Sequence, residues 1–96
     1  MPPAQQGARQ AQPMPHPSKS HSPRFNGKAK NLLPFIKDFT YYADLAELTA
    51  DERIKQIGRY ARRRDQELWE LLPQFTGTNF EAYLNAIKLQ IGRAHV

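Results

Sequence analysis

The stretch Leu48–Pro73, "LTADERIKQIGRYARRRDQELWELLP", decides the fold. Thr49 and Glu52 stand three apart, the spacing of a capping box. The hydroxyl accepts from the Glu52 N–H and the carboxylate reaches back to the Thr49 N–H. Asp51 and Glu52 then sit at the positive end of the helix dipole. Ile54, Ile57/Gly58 and Ala61, with Tyr60 alongside, recur at helical spacing and predict an inward stripe. Arg62, Arg63 and Arg64 follow, at what should be the C-terminal end of this helix, where the same dipole favours cations. Asp65 is expected to cap a third, shorter helix containing Leu68, Trp69, Leu71 and Leu72, stopped before Pro73. Arg63 and Glu67 are four apart and able to pair.

Toward the N-terminus, Leu32, Phe35/Ile36, Phe39, Tyr42/Ala43 and Leu45/Ala46 repeat the helical spacing. Asn31 is the expected N-cap, and Pro34 falls in the first turn, where its missing N–H costs nothing. Toward the C-terminus, "TNFE" offers Thr78 as a cap with Glu81 three residues on. Phe80, Tyr83, Leu84 and Ile87 then predict a fourth helix from Asn79 to about Gln90. No stretch alternates as a strand would. The expected fold is all-α, a small bundle of about four helices over residues 25–90.

Residues 1–24 hold six of the eight prolines, separated by Gln, Ser and His. Such a segment buries too little apolar surface to offset its ordering entropy, so a disordered Pro-rich tail is expected. The last six residues, "IGRAHV", resemble one reading frame of a common short-read sequencing adapter. Residues 91–96 are therefore expected to be non-native, and the helical domain C-terminally truncated.

Of the net charge of +5, the tail supplies three units through Arg9, Lys19 and Arg24. The body carries ten Lys/Arg against nine Asp/Glu, so it is nearly neutral. Cysteine is absent, which removes disulfides, thiolate catalysis and cysteine metal sites. No apolar run reaches the roughly 20 residues needed to span a bilayer, and the N-terminus lacks the apolar centre of a secretory signal. The expectation is an intracellular, cytoplasmic protein with no membrane partner.

Catalytic constellations are missing from the sequence. His16, His21 and His95 lack the i, i+4 placement of helical metal ligands. The acids are spread along the helices as caps and solvent-facing charges, with no marked acid/base pair. The glycines are isolated, so no phosphate cradle exists. No enzyme, metal, cofactor or small-molecule substrate is expected. Two sets of residues remain as candidates. Arg59, Arg62, Arg63, Arg64 and Arg24 form a nucleic-acid set, competing with the helix-end explanation of the triple arginine. Tyr41, Tyr42, Trp69 and Phe75 form an interface set, since adjacent tyrosines diverge by about 100° on a helix and cannot both face inward.

The order of features resembles the N-terminal capsid region of Gag proteins from gypsy-type LTR retrotransposons, particularly the fungal versions. The elements are F-x-G at Phe25–Gly27, L-x-x-F-I-x-x-F-x-x-Y-A ending at Ala43 and LT-x-x-E-R-I at Leu48–Ile54. They continue with I-x-R-Y at Ile57–Tyr60, LWE-x-LP at Leu68–Pro73 and an aromatic-acidic helix from Phe80. The resemblance spans residues 25–90 and implies a structural subunit that self-associates around the element's RNA. Two alternatives stay open. One is a monomeric helical interaction module binding a peptide in a groove, and the other is a weak, non-specific nucleic-acid-binding domain.

Overall fold

The computed structural model describes residues 12–94, and the side chains through Gly92. Four helices follow one another: α1 (Leu32–Leu45), α2 (Ala50–Ile57), α3 (Arg63–Glu70) and α4 (Phe80–Ala94). Single 3-10 turns lie before α1 (Ala29–Asn31), between α2 and α3 (Gly58–Tyr60) and between α3 and α4 (Pro73–Thr76), and no strand occurs among the described residues. The all-α bundle expected from periodicity is present.

The α1 stripe buries Leu32, Phe35, Phe39 and Ala43. Ile54 and Ile57 of α2, Tyr60, Trp69 of α3, and Tyr83, Leu84, Ile87 and Ile91 of α4 complete the core with Phe25. Trp69 lies at its centre, stacked on Phe25 at 5.6 Å between ring centroids and tilted against Phe35 at 6.3 Å. Its indole N–H donates to Gln90 Oε1 at 3.3 Å. The Tyr83 hydroxyl donates to the Trp69 carbonyl at 3.1 Å. These two bonds tie α3 to α4 on either side of the ring.

The caps divide into one that matches the sequence pattern and three that do not. At α2 the capping box forms in full: the Thr49 N–H donates to Glu52 Oε1 at 2.8 Å, and Thr49 Oγ1 accepts from the Glu52 N–H. Asn31, expected to cap α1, makes no capping bond because the preceding 3-10 turn already feeds the helix; its amide donates to Asn26 Oδ1 instead. At α4 the cap is Asn79, whose Oδ1 accepts from the Ala82 N–H, so the start lies one residue beyond Thr78. Asp65 does not precede α3. It lies in the first turn of that helix and is buried.

The described structure extends at both ends beyond the helical body of residues 25–90. Residues 12–24 are not a free tail, whereas residues 1–11 lie outside the described residues. The Gln12 N–H donates to Leu45 O, the Tyr60 hydroxyl donates to Pro15 O at 2.6 Å, and Met14 packs on the core. Ser22 and Pro23 are buried. Prolines have little backbone freedom to lose on ordering, and donors on the segment and the body satisfy the carbonyls that composition treats as a cost. At the other end, α4 continues past Gln90 to Ala94, and Ile91 is buried. An apolar residue four places after Ile87 lands on the inward stripe whatever its origin. Residues 95–96 lie outside the described residues.

Candidate interaction surface

The triple arginine sits at the opposite end of a helix from the one expected. Helix α2 stops at Ile57, the chain turns through Gly58–Tyr60, and Arg62 is the N-cap of α3 with an extended backbone. Arg63 and Arg64 therefore occupy the first turn of α3, where the dipole disfavours cations. Two carboxylates offset this. Asp65 accepts from Arg62 Nε at 2.8 Å, and Glu67 lies 3.3 Å from Arg63 Nε. Asp65 holds the Arg62 guanidinium above its ordinary pKa through hydrogen bonding and charge. The second ion pair is the one expected from the spacing.

Gly27 explains where the Arg62 side chain lies. Its φ of +89° is left-handed territory, and a Cβ there would collide with the Arg62 guanidinium. The "F-N-G" turn thus provides a surface without a side chain against which Arg62 rests while it pairs with Asp65. Arg62 is a clamp between the N-terminal turn and α3.

Around this clamp lies a shallow cleft of ≈ 410 Å³, lined by Pro17, Pro23, Arg24, Phe25, Asn26, Arg59, Tyr60, Ala61 and Arg62. Its floor is mostly proline and aromatic, and no acid lines it. Arg24 is held by the carbonyls of Pro17 and Lys19, at 2.9 and 3.3 Å. Arg59 is exposed and makes no ion pair among the described residues. Burial raises the Tyr60 phenol above its ordinary pKa, so it stays a neutral donor to Pro15. A second depression, of ≈ 380 Å³, shares Asn26 and Arg62 with the first and adds Lys28, Arg64 and Leu68.

Of the nucleic-acid candidates, the structure brings Arg24, Arg59 and Arg62 to one cleft and places Arg64 in the adjoining depression. Arg63 points elsewhere, toward Glu67. Among the interface candidates, Tyr41 is exposed, and Tyr42 is half-buried with its ring against His21. Phe75 is half-buried between Tyr83 and Lys55. Trp69 is not an interface residue; it is fully buried, because α1 and α4 cover α3 on that side. The sequence reading missed Leu71, which is 80% exposed, together with Leu33 and Leu89. A helical wheel carries the signal for Leu71: two residues after Trp69, it points about 160° away from it.

Among the described residues, no three His, Asp or Glu side chains are placed to hold a metal ion, and no helix is long and apolar enough to cross a membrane. In comparisons with protein-family models, curated proteins and solved structures, the chain matches none.

Proposed function

We propose that this chain is a structural, non-enzymatic Gag-like capsid fragment that acts by self-association around retroelement RNA in the cytoplasm. The residues of the Gag-like pattern serve the fold: Phe25, Phe35, Phe39 and Trp69 fill the core, Gly27 makes room for Arg62, and Thr49 and Glu52 cap α2. The observation that carries the reading is what they leave outside. Leu33, Tyr41, Leu68, Leu71 and Leu89 are 62%, 60%, 40%, 80% and 62% exposed, on α1, α3 and its C-cap, and α4. One exposed leucine is ordinary. Five large apolar side chains left outside so small a body suit a subunit held by several weak, repeated contacts.

Sedimentation velocity over a rising concentration series tests this. The sedimentation coefficient should increase with concentration, and a single monomeric species at every concentration refutes the reading.

A nucleic-acid-binding reading has its own support in the acid-free cleft rimmed by Arg24, Arg59 and Arg62. It predicts RNA affinity that falls steeply with salt, and a shallower slope for the Arg59→Gln/Arg64→Gln variant. These two arginines suit the test because neither belongs to the Arg62 clamp. An unchanged slope removes this reading.

A further inference from the structure

We propose that the cleft rimmed by Arg24 and Arg59 is the receptor half of a head-to-tail contact, and that its occupant is the Glu67–Glu70–Leu71 ridge of α3 from a second copy. The inference rests on the self-association reading and gives it a specific interface. Glu67 and Leu71 lie about 160° round the helix from Trp69, with Glu70 flanking them at about 100°, and Leu71 is the most exposed large apolar side chain among the described residues. Glu70 is exposed, and its carboxylate accepts from the neutral Gln66 amide at 3.0 Å.

The two surfaces match in chemistry. The ridge presents a leucine beside the Glu70 carboxylate, with Glu67 shared with Arg63, and the cleft presents an apolar floor with a cationic rim and no acid. Arg59, without an ion pair among the described residues, is the rim cation available to a carboxylate from outside. Arg62 immediately precedes α3 and Leu71 immediately follows it, which separates cleft and ridge by roughly 12 Å of helix. A copy therefore uses its ridge on one neighbour and its cleft on another. Because the two patches differ, the contact is heterologous and propagates as a ring or an open filament. A single-stranded nucleic acid fits the cleft less well. Its aromatic residues, Phe25 and Tyr60, are 1% and 5% exposed, so bases have no stacking platform there.

Charge reversal on the full chain tests the pairing, read by sedimentation velocity after ribonuclease treatment. Arg59→Glu and Glu70→Arg should each weaken self-association at least about tenfold, through like-charge contact across the interface. The Arg59→Glu/Glu70→Arg double variant should recover it, because the pair is restored with its signs exchanged. Both positions are exposed, and far-UV circular dichroism verifies that each variant keeps the fold. Wild-type association that disappears with ribonuclease overturns the inference in favour of RNA bridging. Either single variant associating like wild type, or a double variant that does not recover, overturns it while leaving self-association through another face. A wild-type chain that never associates overturns both.

Discussion

Replacing Trp69 by alanine is the most direct challenge to the packing described above. The side chain is fully buried, and a tryptophan removes about 150–250 Å² from water. At about 25 cal/mol per Å² that corresponds to roughly 4–6 kcal/mol, in line with the 3–5 kcal/mol typical of Phe or Trp to Ala changes. The ring contacts to Phe25 and Phe35 place the loss toward the upper end, since aromatic pairs add about 0.5–1.5 kcal/mol beyond area. The hydrogen bond to Gln90 is long at 3.3 Å and contributes little. A domain of this size is stable by only roughly 4–12 kcal/mol, so Trp69→Ala should be at or near its unfolding midpoint in plain buffer. Trp69→Phe keeps most of the stack and should lose about 1–2 kcal/mol. Urea titrations followed by circular dichroism at 222 nm measure both, because the fluorophore is lost. A Trp69→Ala loss under about 1 kcal/mol would refute the placement of Trp69 at the centre of the core.

Gly27→Ala should cost at least about 1–2 kcal/mol for the left-handed backbone, and more because the new methyl group displaces Arg62 from Asp65; an unchanged melting temperature would show that the turn is not as described. Alkaline pH should destabilise the fold. Burial, with a smaller contribution from Glu70, pushes the Tyr83 phenol well above its ordinary range, so the unfolded chain releases this proton from about pH 10 while the folded chain retains it. The contribution is complete below that pH and is lost as pH rises further. Tyr60 shifts in the same direction. Tyr83→Phe should therefore be less stable than wild type near neutrality, through loss of the bond to the Trp69 carbonyl, yet decline less between about pH 9 and 11. Urea midpoints across that range that fall in parallel for the two proteins would contradict the assignment.

The element pattern was readable from local sequence because local rules govern it. The apolar spacing of α1 and α4 requires only a helix with one buried face, and Thr49 with Glu52 closes its cap within four residues. What failed locally was placement that depends on distant partners. The triple arginine was expected at the end of α2, but the chain bends at Gly58–Tyr60 so that Tyr60 reaches Pro15 and the core, and Arg62 begins α3 instead. Composition marked residues 1–24 as tail, since nothing within that segment indicates that Leu45 and Tyr60 will pair with the backbone of Gln12 and Pro15.

From its residues alone, then, this chain determined four amphipathic helices and a core built on Phe35, Phe39, Ile54 and Tyr83, because hydrophobic periodicity is a property of neighbours in sequence. Only the tertiary structure decided which cations are committed and which are available. Arg62 is held between Gly27 and Asp65, and Arg63 is paired with Glu67. Arg59 makes no ion pair among the described residues and stands over an apolar floor assembled from residues more than forty positions apart in the chain. Charge acquires its meaning from the groups that surround it in space, and for these arginines those groups come from the proline-rich segment and the far side of the turn.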